Sequence, residues 1–277
     1  MSIAFIGLGH IGKSMALQWA QSSETLWVYD VMPQPVAELV AAGAKAAANP
    51  AALAKEANFI GLCVRDDNDI DQLLYGAEGL LENTKPNTII AIHSTVTQDS
   101  IMRWHKDAGA KSIHLIDAPV TRGVEPGTFC YMLGADAALV ERCRPTLLLG
   151  GNKIVETGKV GAAIALKLCN NLMTYAAFIA MHEANRLAQA CGLAPELLLE
   201  VGRANGVVTP QMSSFLAGRN QCANMGAEAL QKTFGPVAGL GKKDLGAALK
   251  SAEKLGVKLP GTQRNSELIE DVMLARY

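Results

Sequence analysis

A glycine-rich turn near the start of the chain places the strongest constraint on how this sequence folds. Residues 7–12 read Gly-Leu-Gly-His-Ile-Gly, between an apolar run at Ile3–Ile6 and a predicted helix. In a strand–turn–helix unit, Gly7 permits a tight turn, Gly9 lets a phosphate approach the backbone, and Gly12 lets the helix pack on the strand. Free N–H groups and the helix dipole favour an anion there. The motif therefore predicts a binding site for the pyrophosphate of a dinucleotide.

An acidic residue supports the dinucleotide interpretation. A second predicted strand ends in Asp30, whose carboxylate can accept hydrogen bonds from an adenosine ribose and would repel a 2′-phosphate. Residues 31–33 supply no arginine to offset that repulsion. We therefore predict NAD as the cofactor, in preference to NADP; a glycine turn without a ligand is the alternative. The predicted contacts in this region are Gly7, Leu8, Gly9, His10, Ile11, Gly12 and Asp30.

The two halves of the chain differ in their hydrophobic pattern. Up to about residue 155, short apolar runs alternate with helical stretches, which is typical of a parallel sheet covered on both faces. The predicted strands are Ile3–Ile6, Trp27–Asp30, Phe59–Val64, Thr88–Ile92, Ile113–Asp117 and Phe129–Leu133. After Gly158, residues of high helix propensity punctuated by Gly and Pro predict helices only. We therefore predict a Rossmann-type α/β domain over residues 1–158 and an all-α domain over residues 159–277, which begins with a long interdomain helix.

Composition argues against several classes of partner. The net charge is −1 and no basic tract occurs, so we expect no nucleic-acid partner. The six cysteines form neither a CxxC pair nor a cluster with histidines, which predicts free, mostly buried thiols, no metal site and a cytoplasmic location. The N-terminus does not resemble a signal peptide. The acidic run at residues 66–69 fits a capped helix start better than a cation site.

One apolar helix combines membrane-like length with polar residues in its interior. Residues 160–181 are apolar enough to suggest a membrane span, but Lys167, Asn170 and Asn171 lie near the middle, so we predict a buried helix and no membrane partner. These three residues and Thr174 share one helical face. No charge occurs in the six residues before Lys167. A lysine in apolar surroundings has a lowered pKa, which suits proton transfer near neutral pH, although a solvated lysine is the alternative.

Several segments in the same order resemble the β-hydroxyacid dehydrogenase family, whose members include 3-hydroxyisobutyrate dehydrogenase, tartronate semialdehyde reductase and sulfolactaldehyde reductase. The similar segments are residues 5–16, Ser94-Thr95, residues 117–123, residues 158–171 and Lys243-Asp244-Leu245. The resemblance implies an NAD-dependent oxidoreductase that interconverts a small 3-hydroxy acid and its semialdehyde. It also implies a homodimer or homotetramer.

The resemblance also implies roles for individual residues. Lys167 would be the general acid/base. The implied substrate ligands are Thr121, Arg122, Gly123 and Asn171. The implied additional cofactor contacts are Val64, Thr95 and Lys243.

The substrate segment departs from the family pattern. It reads Thr121-Arg122-Gly123 where the family has Ser-Gly-Gly, and the arginine adds a cation suited to carboxylate, sulfonate or phosphate. One alternative function is therefore reduction of a doubly anionic aldehyde, with sulfolactaldehyde as the example. An imine reductase and a non-enzymatic NAD-binding protein are further alternatives. Lys167 argues against the imine reductase, because that class typically lacks a lysine at this position.

Overall fold

The structure is a computed structural model that describes residues 2–122 and 128–277. Two compact units make up the chain, unit 1 from Met1 to Lys167 and unit 2 from Leu168 to Tyr277. The predicted substrate residue Gly123 lies outside the described residues. Unit 1 ends inside the long helix Ala162–Ala190, so both units contribute residues to the helix that was expected to begin the second domain.

Strands alternate with helices through unit 1, whereas unit 2, all of whose residues are described, contains helices and connecting turns. The strands are β1 (Ser2–Ile6), β2 (Thr25–Tyr29), β3 (Lys45–Ala46), β4 (Phe59–Leu62), β5 (Ile89–Ile92), β6 (His114–Asp117), β7 (Val120–Arg122), β8 (Phe129–Gly134) and β9 (Lys153–Gly158). The helices are α1 (His10–Trp19), α2 (Pro33–Ala41), α3 (Pro50–Glu56), α4 (Asp67–Tyr75), α5 (Leu80–Asn83), α6 (Gln98–Gly109), α7 (Ala137–Leu147), α8 (Ala162–Ala190), α9 (Pro195–Ala204), α10 (Pro210–Asn224), α11 (Ala227–Lys254) and α12 (Pro260–Met273). The predicted fold class, a Rossmann-type α/β half followed by an all-α half, is confirmed.

A single sheet runs through unit 1 in the order β3-β2-β1-β4-β5-β6-β8-β7, with β9 also paired to β8. The pairings from β3 to β6 are parallel. Strand β8, however, runs antiparallel to both β6 and β7, which departs from the parallel pattern that the sequence predicted. A parallel partner needs a crossover of about a dozen residues or more, and β7 occupies the chain between β6 and β8. Strands β3 and β7 are too short to show a periodic signal.

Alternate residues of the central strands supply two hydrophobic cores. In β1, Ile3 and Phe5 belong to the cluster on one face of the sheet, and Ala4 and Ile6 belong to the cluster on the other. All four are nearly or fully inaccessible to solvent. Because successive side chains of a strand point to opposite faces, a run with no polar residue is what a sheet covered on both sides requires.

Helix α8 is the one described helix that is long and apolar enough to cross a membrane by length and composition. Within unit 2 its residues Phe178 and Ile179 pack in an aromatic and aliphatic core, and the Phe178 ring stacks on that of Phe215 with centroids 4.4 Å apart. Further along α8, His182 and Asn185 are also buried. These contacts are those of a core helix, as the polar residues in its sequence predicted.

All six cysteines lie in the described residues and are free, as predicted. Their burial differs from the prediction, because only Cys143 is buried, while Cys169 and Cys191 are exposed. The acidic run behaves as predicted: Asp66 caps α4 by accepting hydrogen bonds from the N–H groups of Asn68 and Asp69. A cap of this kind uses the carboxylate to satisfy N–H groups that lack partners within the helix.

A buried histidine in the core of unit 1 makes stability depend on pH. His93 Nδ1 donates a hydrogen bond to the carbonyl oxygen of Ala118 at 2.7 Å, and Nε2 has no partner among the described residues. Burial lowers the pKa of His93 to about 4 from an ordinary value of 6.5. Between these two values the unfolded chain takes up a proton that the native state does not, so stability falls as the pH drops from about 6.5 to 4.

We predict that replacing His93 by leucine flattens this pH dependence. The wild-type protein should lose about 3 kcal/mol of unfolding free energy through this one group between pH 7 and 4, and the His93→Leu variant should not. All three tryptophans lie in unit 1, so urea titrations followed by tryptophan fluorescence at several pH values measure the effect. Equal pH slopes in the two proteins would contradict the prediction.

Candidate active site

The glycine turn joins β1 to α1 and is shaped by close backbone contacts. Gly7 has a φ of 91°, and a Cβ on it would collide with the carbonyl oxygen of Cys63. A Cβ on Gly12 would collide with the carbonyl oxygen of Gly7. Gly9 is exposed and has a φ of −65°, and among the described residues no atom contacts the position of its missing Cβ. The fold therefore needs glycine at positions 7 and 12, whereas glycine at position 9 leaves room for a ligand.

The carboxylate of Asp30, which directly follows β2, stabilises this turn by hydrogen bonds. One oxygen accepts a hydrogen bond from the N–H of Leu8 at 2.6 Å, and the other accepts one from the N–H of Met32 at 2.8 Å. Asp30 is half-buried, so its oxygens keep lone pairs that a ligand can reach. Beside it, Val31 is 82% exposed and Met32 is 59% exposed, and neither carries a charge.

The ends of β4 and β5 reach the same edge of the sheet. The N–H of Val64 donates to Ser94 Oγ at 2.8 Å, and the Ser94 hydroxyl donates to the carbonyl oxygen of Val64 at 2.8 Å. A Cβ on Gly7 would lie 2.8 Å from Val64 Cγ1, so Val64 borders the glycine turn. Thr95 follows Ser94 and is half-buried. The structure thus brings the glycine turn, Asp30, Val64 and Thr95 together, because the carboxyl ends of parallel strands lie along one edge.

The predicted substrate segment lies in β7. Thr121 is half-buried and Arg122 is exposed. The guanidinium of Arg122 points toward the glycine turn, with Nη2 2.6 Å from Nε2 of His10. Because arginine only donates hydrogen bonds, Nε2 of His10 is the acceptor in this contact. Arg122 therefore places a cation next to the predicted dinucleotide turn.

Helix α8 carries Lys167 and Asn171 one turn apart. Lys167 is 9% exposed and Asn171 is 7% exposed, so both predicted residues are buried. Asn170 and Thr174, on the same face, are half-buried, and the Thr174 hydroxyl donates to the carbonyl oxygen of Asn170. The apolar run before Lys167 thus produced a buried ammonium group, in agreement with the sequence.

Within unit 2, an acidic residue orients Asn171. The amide nitrogen of Asn171 donates to Asp244 Oδ2 at 2.7 Å, and the hydroxyl of Tyr175 donates to the same oxygen at 3.3 Å. Burial and the nearby Asp244 carboxylate raise the pKa of Tyr175, which keeps its hydroxyl protonated as a donor. With its nitrogen oriented by Asp244, Asn171 presents its carbonyl oxygen as a hydrogen-bond acceptor. Lys243 Nζ lies 3.5 Å from Asp244 Oδ1, and its predicted contact with the cofactor stays a prediction.

Three further residues that contact predicted elements within their own units had no predicted role. They are Asp117, Tyr175 and Asp244, all buried. The Lys243-Asp244 pair was visible in the sequence, but only its lysine was given a function. Buried acidic residues need hydrogen-bond partners, but these partners are distant in the chain, so neighbouring residues gave no signal for them.

Residues 2–122 and 128–277 contain no group of three histidine, cysteine, aspartate or glutamate side chains placed to share a metal ion. The chemistry that the described residues can offer is proton transfer, anion binding and hydrogen bonding.

Comparisons with known proteins agree with this arrangement. Residues 2–158 match the family model of the NAD binding domain of 6-phosphogluconate dehydrogenase. Residues 161–276 match the model described as NAD-binding of NADP-dependent 3-hydroxyisobutyrate dehydrogenase.

Individual relatives extend the match over the whole chain. The 2-(hydroxymethyl)glutarate dehydrogenase of Eubacterium barkeri is 31% identical over 98% of this chain and 88% of its own. The 3-sulfolactaldehyde reductase of Escherichia coli is 32% identical over 94% of this chain and 86% of its own. A solved structure of Mycobacterium tuberculosis 3-hydroxyisobutyrate dehydrogenase with L-serine has a similar fold, with a TM-score of 0.80 at 23% identity, over 97% of this chain and 92% of that one. The chain belongs to the β-hydroxyacid dehydrogenase family.

Proposed function

We propose that the protein is an NAD-dependent oxidoreductase that interconverts a small 3-hydroxy acid and its semialdehyde. The observation that carries the proposal is the buried ammonium group of Lys167 in the same compact unit as the glycine turn. Burial lowers the pKa of a lysine toward neutrality, which suits proton transfer to and from a substrate. The named relatives act on hydroxy acids or on an aldehyde, which supports this class of reaction.

The chain supplies the proton transfer and the alignment in this proposal. The glycine turn, Asp30, Val64 and Thr95 would hold a dinucleotide, and its nicotinamide would supply hydride donation or acceptance at the carbinol carbon of the substrate. In oxidation, neutral Lys167 takes the proton of the substrate hydroxyl; in reduction, protonated Lys167 returns it to the same oxygen. Thr121, Arg122 and Gly123 anchor the acid groups of the substrate, with Arg122 assigned to the second acid group where the substrate has one. Asn171 orients the substrate through its carbonyl oxygen, which is the atom left available by Asp244.

The residues around the glycine turn fit a dinucleotide. The open space at Gly9 lies at the N-terminus of α1, where free N–H groups favour a pyrophosphate. The family match supports NAD or NADP, and we propose a preference for NAD. Asp30 supports this preference because its carboxylate repels a 2′-phosphate, and Val31 and Met32 supply no cation. Turnover with each cofactor under otherwise identical conditions decides between them.

The two outer glycines and the central one should respond differently to the same substitution. Gly12→Ala should destabilise unit 1 by about 1–3 kcal/mol because the new methyl group collides with Gly7. Gly9→Ala should change stability by less than about 0.5 kcal/mol but weaken NADH binding at least roughly tenfold by blocking the phosphate. Tryptophan-monitored unfolding and NADH fluorescence titration measure the two effects. If the Gly9→Ala variant bound NADH as tightly as wild type, the glycine turn would not be part of the cofactor site.

Loss of the Lys167 ammonium group should abolish most turnover without loss of cofactor binding. We expect Lys167→Met, which keeps the aliphatic stem, to lower kcat/KM by about 10²–10⁴-fold, while the NADH dissociation constant stays near the wild-type value. The exposed Lys159→Ala variant is the control and should behave as wild type. The assay follows NADH with 3-hydroxyisobutyrate, glycerate, L-serine, 2-(hydroxymethyl)glutarate and dihydroxypropanesulfonate. Wild-type NADH binding without turnover of any substrate would instead favour a non-enzymatic NAD-binding protein.

Arg122 indicates which hydroxy acids the protein prefers as substrates. The relatives of this chain differ in the charge of the compounds in their names, since 2-(hydroxymethyl)glutarate carries two carboxylates and sulfolactaldehyde carries one sulfonate. Sulfolactaldehyde therefore carries a single negative charge, and the expectation that it is a doubly anionic aldehyde is wrong. Arg122 is exposed on β7 and lies next to His10, so it offers a guanidinium edge to a second anionic group. We propose a 3-hydroxy acid with a second acid group as the preferred substrate.

Removal of Arg122 should therefore discriminate between substrates of different charge. In the Arg122→Ala variant, the dicarboxylate (hydroxymethyl)glutarate should show a KM raised about 10–100-fold, the worth of one charge-assisted hydrogen bond. The monocarboxylate hydroxyisobutyrate should show a much smaller increase. Arg142→Ala, which removes another exposed arginine of unit 1, is the control. Equal increases for both substrates would place Arg122 on their common carboxylate, and unchanged KM values would remove it from the substrate site.

We also propose a cytoplasmic homodimer or homotetramer. Large apolar side chains of unit 2 are exposed, including Met173 at 67%, Leu187 at 68% and Val207 at 65%. Exposed apolar side chains of this size support self-association. Six free cysteines support a reducing compartment.

A further inference from the structure

The side chain of Asp117 joins the end of β6 to the beginning of α8. It is fully buried, and each of its carboxylate oxygens accepts a backbone hydrogen bond. Oδ1 accepts from the N–H of Gly161 at 2.9 Å, and Oδ2 accepts from the N–H of Ile164 at 2.8 Å. No basic side chain is bonded to it among the described residues. A buried carboxylate without a cation is costly, and here the unpaired N–H groups and positive dipole end of a helix compensate for it.

Two further contacts hold the same turn of chain. The side-chain amide of Gln98, on α6, donates to the carbonyl oxygen of Gly161 at 3.0 Å. Gly161 itself has a φ of 87°, so the chain enters α8 through a left-handed conformation that suits glycine. The N–H and the carbonyl oxygen of Gly161 are thereby both bonded to side chains from other elements. The beginning of α8 has little freedom to rotate or slide.

A glycine on β8 leaves the space that the Asp117 carboxylate occupies. Gly134 pairs with Asp117 across the antiparallel contact of β6 and β8. A Cβ at Gly134 would collide with the Asp117 carboxylate. The carboxylate is therefore held by hydrogen bonds on one side and confined by the backbone of β8 on the other.

Lys167 lies one turn after Ile164 on α8. A helix turns about 100° and rises about 1.5 Å per residue, so a small change at its first turn moves the lysine in both direction and depth. Thr121 and Arg122 follow Asp117 on the other side, along β7. Asp117 thus connects the two segments: the proposed substrate segment follows it in the chain, and its carboxylate binds the beginning of the helix that carries Lys167.

We propose that Asp117 is a positioning residue for the reaction, which sets the place of the Lys167 ammonium group relative to the substrate segment. This inference rests on the proposed role of Lys167. A cap that served stability alone would lower the melting temperature without a selective effect on the chemical step. Loss of the Asp117 carboxylate should lower the melting temperature and also slow the chemical step selectively.

The test compares Asp117→Asn with a matched cap on another helix. Asparagine keeps one oxygen but turns an NH₂ group toward the second helix N–H, so one of the two bonds is lost. Asp136 caps α7 by accepting from the N–H of Leu139 at 2.9 Å, and α7 carries no proposed site residue, so Asp136→Ala, which also removes one cap bond, is the control. Both variants are assayed well below their own melting temperatures.

For Asp117→Asn we expect kcat to fall at least roughly tenfold, with the KM and the NADH dissociation constant within about threefold of wild type. Asp136→Ala should lower the melting temperature and leave kcat unchanged. In the Lys167→Met background, Asp117→Asn should cause little further loss of activity, because the residue acts through the lysine. A full additional loss in that background would contradict the proposal.

Two milder changes keep the test decisive if Asp117→Asn does not fold. Gln98→Ala removes the other side-chain bond to Gly161, and Gly134→Ala displaces the carboxylate without changing it. Both should lower kcat more than they change the KM. A wild-type kcat in every folded variant would overturn the inference about Asp117 alone. A wild-type kcat in Lys167→Met would overturn the proposed function, so the two failures are distinguishable.

Discussion

Parallel pairing of β2, β1, β4 and β5 is the constraint on which the candidate site depends. Parallel strands end at the same edge of a sheet, so the turns that follow them come together although they are far apart in the chain. The glycine turn, Asp30, Val64 and Thr95 each follow one of these strands. Glycine at positions 7 and 12 is the local condition for this arrangement. A side chain at position 7 would collide with the backbone that follows β4, and one at position 12 would push α1 away from β1.

One buried carboxylate in each unit is bonded to specific partners, and these bonds orient the proposed site residues of that unit. In unit 1, Asp117 accepts from the first turn of α8. In unit 2, Asp244 accepts from Asn171 and Tyr175. Breaking such a pair leaves a buried group without its hydrogen bond, which costs more than the bond contributes when it is formed. Each pair therefore selects one conformation of the residue that it holds, and in the proposed reaction this conformation is the active one.

The chain differs from the common family pattern mainly at Arg122. Where the family has a glycine, this chain places a guanidinium group 2.6 Å from His10 of the glycine turn. The arginine is thus adjacent to the proposed positions of both the cofactor phosphate and the substrate acid group. In the proposed function, this location lets a single substitution change the substrate preference and leaves unchanged the reaction type, which we assign to Lys167.

The sequence by itself determined the order of strands and helices, the glycine turn, Asp30 and the buried Lys167. Each of these features follows from residues close together in the chain, through their spacing, their periodicity or an apolar run before a charge. Even the capped start of α4 followed from local chemistry. Only the tertiary structure decided the antiparallel direction of β8, the contact of Arg122 with His10, the pairing of Asn171 with Asp244 and the bonds of Asp117 to α8. These contacts join residues far apart in the chain, and their energies depend on burial and geometry that exist only once the chain has folded.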